Sequence, residues 1–216
     1  MFAALLAHPD VEEVCTLRSR FGVMAFHGGN LEAATDVIAE LVAAKADASL
    51  YLVRQPPTLR WHIPSVEVQP FASPALAAFF DHVDAVVAVH GYGREGYWTT
   101  LLLGGQNRAL ARHMGAALRE AVAPEGYAVV DELDAIPAPL RGVHPRNPVN
   151  LPRGGGVQLE LPPRIRGTSP LSRPAHTTAL IAGLTAAVRA ADPTRSRIGA
   201  TLRVAGASAV GGPRAR

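Results

Sequence analysis

Residues 21–32, FGVMAFHGGNLE, predict a buried strand that ends in a sharp turn and leads into a helix. The continuous apolar run at the start of this stretch is typical of a strand covered on both faces, and the two glycines allow the chain to turn directly after it. Residues 33–46 then place apolar side chains, among them Val37, Ile38 and Leu41, on one helical face, with acidic side chains on another. A strand, a tight turn and an amphipathic helix form the repeating unit of α/β folds.

The same alternation of strand-like and helix-like segments continues along the chain. Strands are predicted at residues 21–26, 49–54, 85–89, 127–130 and 157–161, and helices at residues 33–46, 73–82, 107–122 and 177–190. This order favours the α/β class, with a mixed, mostly parallel sheet flanked by helices. We expect one domain over residues 1–192. Residues 193–216, rich in Arg, Gly and Ala, form a C-terminal extension, in which an edge strand at 198–204 and partial disorder are both open.

Length and composition exclude several classes of protein. The 216 residues are 48% hydrophobic and 18% charged, as in a packed globular chain rather than a disordered one. No apolar run reaches the roughly 18–20 residues that a membrane span needs, and the first residues lack the basic start of a secretory signal. The single cysteine, Cys15, excludes an intrachain disulfide and a thiolate zinc site. We expect a cytoplasmic monomer that does not associate with membranes.

Charge is distributed unevenly along the chain. Residues 1–140 carry 9 basic and 16 acidic side chains, whereas residues 141–216 carry 12 arginines and only two acids. The basic part should attract anions, and a polycarboxylate and a nucleic acid both fit that description. Aromatic residues make up only 6% of the chain and no nucleic-acid-binding motif is recognisable, so we expect no nucleic-acid partner. A non-catalytic, arginine-rich module that binds anions or nucleic acid is kept as a distant alternative.

Three polar side chains follow the carboxyl ends of predicted strands, which is where ligands bind in open α/β sheets. His27 and His90 each follow a predicted strand, and Glu32 begins the helix after the first one. Each alone could be a turn or core residue, and Glu32 could serve only the helix dipole. Two imidazoles and one carboxylate are, however, the ligand set of a hydrolytic zinc site whose fourth position is left for water. Together they predict a metal site.

Glu160 is a candidate general base. In the predicted strand VQLEL, alternation places Glu160 on the opposite face from Val157 and Leu161. Two interpretations are open. The carboxylate could be exposed on the strand and paired with an arginine, or it could take a proton from the water that a metal ion activates, which requires a carboxylate close to that water but not bound to the metal.

Five segments of the chain, in this order and at this spacing, resemble the poly-γ-glutamate hydrolase family. They are FHGGNLEAAT (26–35), VAVHGYG (87–93), LLGGQN (102–107), RGVHPRNPVN (141–150) and GGGVQLELPPRIRG (154–167). The family comprises small, phage-type zinc hydrolases whose fold is similar to that of the zinc carboxypeptidases. The resemblance spans about residues 10–190.

The resemblance implies the metal ligands and the base. The family's His-Gly-Gly-x-x-Glu motif falls on residues 27–32, and its second His-Gly falls on His90 and the glycine after it. This implies one zinc ion per chain, held by His27, Glu32 and His90. The family's Gly-Val-Gln-Leu-Glu-Leu strand falls on residues 156–161 and implies Glu160 as the general base.

The substrate side is predicted from the same resemblance and from charge. The family's Gly-x-His-Pro-x-Asn-x-x-Asn loop falls on residues 142–150, and the resemblance implies that this loop, with His144 and Asn147, lines the substrate side. Arginine binds carboxylates through two parallel hydrogen bonds, so arginines are also candidates to hold an anionic, glutamyl-type substrate. The candidates are Arg94, Arg141, Arg146 and Arg166.

We therefore expect a zinc-dependent hydrolase that cleaves amide bonds of poly-γ-glutamate or a related glutamyl polymer. One departure from the family's sequence pattern leaves a second enzymatic activity open for this chain. After Glu32 the family commonly has Pro-Gly-Thr-Ser-Glu, whereas this chain reads AATDV at residues 33–37, which predicts a differently shaped cleft near the metal. A zinc amidase or deacylase of another specificity is the alternative.

Overall fold

The computed structural model describes residues 1–192, and a seven-stranded sheet lies at its centre. The strands are β1 (Glu12–Thr16), β2 (Phe21–Gly29), β3 (Ser49–Gln55), β4 (Ala85–Gly91), β5 (Thr100–Leu103), β6 (Ala128–Val130) and β7 (Gly156–Leu161). Within these residues the strand order is β1–β3–β2–β4–β7–β5–β6. The pairs β1–β3 and β5–β7 are antiparallel and the other neighbouring pairs are parallel, so the prediction of a mixed, mostly parallel sheet is confirmed.

Helices cover both faces of this sheet. They are α1 (Phe2–Leu6), α2 (Thr35–Ala46), α3 (Pro74–His82), α4 (Arg108–Val122) and α5 (Pro174–Ala191). One core contains apolar side chains of α2, α4 and α5, and a second core on the opposite face contains those of α1 and α3. β2 contributes Val23 and Ala25 to the first core and Met24 and Phe26 to the second, which explains its continuous apolar run.

The predicted extension at residues 193–216 lies outside the described residues. Among residues 1–192, no helix is both long and apolar enough to cross a membrane.

The buried side of α2 differs from the predicted one. Val37 and Leu41 are 49% and 41% exposed, whereas Ile38, Ala39 and Ala43 are buried. The prediction was therefore wrong for Val37 and Leu41. The helix is rich in alanine, and its alanines let the backbone lie close to the sheet, which a pattern based on large apolar residues does not reveal.

Two strands lie where the sequence pattern did not predict them. β1 (EEVCT) begins with two glutamates and forms one edge of the sheet, where charged residues discourage pairing with other chains. β5 (TLLL) has only four residues, although it lies between β6 and β7. Neither strand has the alternation or the continuous run of at least four apolar residues on which the prediction depends.

An irregularity in β2 redirects the end of this strand. Ala25 pairs with Leu52 and Gly28 pairs with Arg54, so β2 has one more residue than β3 between the two pairs. Such a bulge bends the strand and changes the direction of the side chains within it. The residues inside the bulge include His27, one of the predicted metal ligands.

We expect Gly29→Ala to destabilise the fold more than Gly126→Ala. Both glycines have positive φ, 70° and 79°, so alanine introduces about 1–2 kcal/mol of backbone strain at either position. At Gly29 a Cβ would also collide with the backbone of Gln55, whereas at Gly126 nothing lies within 4 Å. Urea unfolding should show a loss of unfolding free energy at least about 1 kcal/mol larger for Gly29→Ala. Equal losses would contradict the close approach of β2 to β3.

Candidate active site

The structure brings the three predicted metal ligands together at one edge of the sheet. His27 and His90 lie near the carboxyl ends of the neighbouring parallel strands β2 and β4, and Glu32 lies between β2 and α2. One ligand atom from each residue lies within 4.8 Å of the other two. Nδ1 of His27 is 2.8 Å from one carboxylate oxygen of Glu32, and Nδ1 of His90 is 3.3 Å from the other.

Backbone hydrogen bonds hold Glu32 in this position. Its N–H donates to the carbonyl of His27, and its carboxylate accepts the N–H of Gly91, both at 2.9 Å. Two residues later, Ala34 has a φ of 70°, in the left-handed region that favours glycine. The resemblance also places a glycine at this point of the chain. The turn therefore has a glycine-like conformation although an alanine occupies it.

The hydrogen-bonding surroundings of His27 fit a metal ligand. Its Nε2 lies 2.8 Å from the carbonyl oxygen of Ile63, and its Nδ1 lies 2.8 Å from the Glu32 carboxylate, so both ring nitrogens face acceptors. A neutral imidazole has only one N–H. When Nε2–H donates to the carbonyl, the lone pair of Nδ1 faces the carboxylate, and a cation between them removes the repulsion. A backbone carbonyl is also the usual outer partner of a metal-binding histidine, so the residues present fit a divalent metal such as zinc.

Charges within this cluster reinforce each other. Burial alone would raise the pKa of Glu32, but His90 and His27 beside it outweigh burial and hold that pKa well below its usual range. Burial would lower the pKa of His90, but the adjacent Glu32 carboxylate outweighs this and raises it. Glu32 is therefore an anion near neutral pH, the form that a metal ion needs.

Glu160 lies beside this cluster and is buried. In β7 it pairs with His90 of β4, and its side chain lines the same cleft as the three ligands. Only 4% of its surface is exposed, so the interpretation as an exposed strand carboxylate is wrong. Burial raises its pKa to about 7, with Glu32 also raising it and His90 lowering it. A carboxyl group with this pKa can both accept and donate a proton near neutral pH.

These four side chains line a cleft of about 730 Å³. Its other polar lining residues include His62, Ser65, Tyr92, His144, Asn147 and Gln158, and its apolar ones include Leu31, Pro64, Val66, Pro139, Leu140 and Val143. The cleft is large enough for a segment of a polymer or for a small acylated amine.

His144 and Asn147, two of the predicted substrate residues, line the cleft, whereas the four predicted arginines do not. Arg94 is exposed. Arg141 donates to the carbonyl of Ile136, and Arg146 donates to the carbonyl of Val66 at the rim.

Arg166 is buried behind the site, where its guanidinium donates to the backbone carbonyls of Leu161 and Ala33. Burial lowers its pKa, whereas the charges of Glu32 and Glu160 act in the opposite direction. Its positive charge therefore acts on both carboxylates from within the protein and not from the cleft.

Sequence reasoning missed four polar residues of the cleft, His62, Ser65, Tyr92 and Gln158, and two of these contact the predicted site residues. The ring of His62 lies 5.0 Å from that of His27, and burial lowers its pKa, with His27 adding to the effect. The available signal was its place in the loop after β3, because that loop leaves the ligand-binding edge of the sheet. Gln158 donates from Nε2 to Glu160 at 2.8 Å. Its signal was the spacing of two residues, which places both side chains on one face of β7.

Comparisons with known proteins identify the family and the fold of this chain. A family model described as poly-gamma-glutamate hydrolase matches residues 4–170. A bacteriophage poly-gamma-glutamate hydrolase is similar in structure, with a TM-score of 0.61, 20% identity, and coverage of 89% of this chain and 91% of that one. The zinc-free apo form of YNDL has a TM-score of 0.65 and 22% identity, with coverage of 83% and 90%.

A protein assigned as a carboxypeptidase, from Burkholderia mallei, has a TM-score of 0.50 and 13% identity, with coverage of 87% of this chain and 66% of that one. Among curated proteins, none matches this chain. At these identities the structural similarities show the fold alone, and the expected likeness to carboxypeptidases is confirmed.

We expect Glu160 to make the metal-free protein less stable as the pH rises. Its pKa is about 7 in the folded chain and 4.5 ordinarily, so its stabilising contribution is complete below pH 4.5 and is lost as the pH approaches 7. Because Glu160→Gln cannot titrate, the wild type should lose roughly 3 kcal/mol relative to this variant between pH 4.5 and 8. Urea unfolding in the presence of a chelator measures the difference. Parallel stability curves would show that Glu160 is not buried as described.

Proposed function

The chain belongs to the poly-γ-glutamate hydrolase family, and we propose that it is a zinc-dependent hydrolase that cleaves amide bonds of poly-γ-glutamate or a related glutamyl polymer. The observation that carries the proposal is the position of Glu160, a buried carboxyl group that lines the same cleft as the His-Glu-His cluster beside it.

Zinc is the metal we propose, with one ion per chain held by His27, Glu32 and His90. Two imidazole nitrogens and one carboxylate, with a position left for water, are typical of hydrolytic zinc sites. YNDL, whose structure is similar to that of this chain, is described in an apo form as zinc-free, which supports the choice of zinc. When bound, the zinc ion would make water more acidic and polarise the scissile carbonyl.

Glu160 would manage the protons of the reaction. Its carboxylate accepts a proton from the attacking water as the water oxygen bonds to the carbonyl carbon. The same carboxyl group then gives that proton to the amide nitrogen as the carbon–nitrogen bond breaks, so the products are a carboxylic acid and an amine. General acid–base assistance of this kind contributes about 10²–10⁴-fold to a rate.

Nitrogen hydrogen-bond donors at the cleft would recognise an anionic substrate. His62 and His144 line the cleft, and Arg146 lies at its rim, with its backbone N–H donating to Nδ1 of His144. We propose that these three groups face the carboxylates of a glutamyl chain. Arg94 and Arg141 could act only at a greater distance from the scissile bond.

A second candidate function is zinc-dependent amide hydrolysis on a less charged acyl group. The observation that favours it is the apolar character of the cleft walls, to which Leu31, Val66 and Val143 contribute. No arginine or lysine is among the described residues that line this cleft.

We expect the metal and the base to be separable by mutation. His27→Ala and His90→Ala should each lose the single zinc equivalent, because two remaining ligands hold zinc poorly. Glu160→Gln should keep about one zinc per chain and lose turnover by roughly 10²–10⁴-fold. Metal analysis and hydrolysis assays on the same preparations measure both. Loss of zinc from Glu160→Gln would mean instead that Glu160 is a ligand.

A substrate panel discriminates between the two candidate functions. If the first is correct, γ-glutamyl oligomers should be cleaved, and α-glutamyl oligomers and neutral acylated amines should be poor substrates. Release of amine can be followed for all three classes under the same conditions. Turnover confined to neutral acylated amines would overturn the glutamyl specificity and support the second candidate.

A further inference from the structure

We propose that Asn147 and Gln158 position the general base through a one-way chain of hydrogen bonds, an inference that rests on the proposed role of Glu160. Asn147 was predicted from the sequence to contact substrate, yet both ends of its amide are engaged within the protein. Asn147, Gln158 and Glu160 are each no more than 5% exposed.

The chain of hydrogen bonds begins at the backbone N–H of Val149 and ends at the carboxylate of Glu160. The N–H of Val149 donates to Oδ1 of Asn147 at 3.2 Å, and Nδ2 of Asn147 donates to Oε1 of Gln158 at 2.8 Å. Nε2 of Gln158 donates to Oε1 of Glu160 at 2.8 Å and to the carbonyl of Leu140 at 3.4 Å.

The direction of every bond follows from the first donor. A backbone N–H can only donate, so Asn147 turns its oxygen to Val149 and its NH₂ group to Gln158. Gln158 must then turn its oxygen to Asn147 and its own NH₂ group to Glu160. The carbonyl of Leu140 can only accept, and it lies on the NH₂ side of Gln158, in agreement with this direction.

A fixed donor makes the two oxygens of Glu160 unequal. Oε1 receives the hydrogen bond from Gln158 and remains an acceptor, so the proton taken from water must be held at Oε2. The donor also favours the ionised form of the carboxyl group, which is the form that can act as a base. Asn147 and Gln158 are thus positioning residues that act on the reaction through Glu160.

The loop at residues 142–150 is built around Gln158. Gly142 has a φ of 60°, and a Cβ there would lie 2.6 Å from Oε1 of Gln158. A side chain at this position would displace the amide that faces Glu160. This close contact explains why position 142 is a glycine. It also indicates that part of the loop holds the general base in place and does not serve only to bind substrate.

Asn147→Asp tests the direction of these hydrogen bonds. Both oxygens of the introduced carboxylate accept hydrogen bonds, so the Gln158 side-chain amide should rotate and donate to it. The rotation turns the amide oxygen of Gln158 towards the Glu160 carboxylate. We expect kcat to fall by about 10- to 100-fold with KM and zinc content unchanged. The acid limb of the kcat/KM profile should move up by about one pH unit, because the ionised base loses its donor.

Gln106→Glu is the matched control. It introduces the same charge beside the same loop, but the exposed Gln106 side chain lies outside the cleft lining and donates to the backbone carbonyl of Val143. Its acid limb should therefore stay within about 0.3 pH units of the wild type. If Asn147→Asp fails to fold, Gln158→Met removes the same donor at similar size, and the loss of kcat and the shift of the acid limb should appear there.

The outcomes separate the two proposals. If Glu160→Gln is inactive while Asn147→Asp and Gln158→Met keep the wild-type kcat and acid limb, the hydrogen-bond chain has no positioning role and this inference is overturned. A shift of the acid limb that Gln106→Glu reproduces in full would overturn it as well, because charge alone would then explain the effect. If Glu160→Gln is active, the proposed function itself is wrong.

Discussion

Two carboxylates, those of Glu32 and Glu160, are held away from solvent beside the same imidazole of His90, and their need for positive charge governs this site. Burying an ion without a partner costs several kcal/mol. This cost is met differently for the two groups. The histidines beside Glu32 stabilise its charge, so Glu32 stays ionised. The pKa of Glu160 is raised to about 7, so Glu160 can instead take up a proton near neutral pH. A divalent cation beside Glu32 would stabilise both carboxylates at once. The proposed metal site and the proposed base therefore form one electrostatic unit.

The backbone holds this unit through close contacts that only small residues permit. His90 and Glu160 are paired in register on neighbouring parallel strands, so their relative position is set by the sheet. The ring of Phe26 packs edge-on against His27 and His90, with 4.7 Å between centroids in each case, and closes the site on the core side. A Cβ at Gly91 would lie 2.7 Å from the buried Arg166 guanidinium, which links the end of β7 to the turn after Glu32.

The central strands and the meeting of the three ligands could be predicted because both depend on local, repetitive signals. A strand buried on both faces is a continuous apolar run, and the His-Gly pairs mark the carboxyl ends of two such strands. The starts of α3 and α4 were equally visible, since Ser73 and Asn107 cap these two helices with their side chains. The positions of the arginines could not be predicted, because long side chains on loops take their direction from tertiary contacts. Arg166, for example, lies behind the site instead of in the cleft.

Diffraction at the zinc absorption edge from crystals grown with the metal would test the central claim most directly. The account predicts one anomalous peak per chain, about 2.0–2.2 Å from Nδ1 of His27, Nδ1 of His90 and a carboxylate oxygen of Glu32. The Glu160 carboxylate should remain outside the ligand set, with Gln158 still bonded to it. A peak elsewhere on the chain, or one that Glu160 coordinates in place of a histidine, would contradict the account.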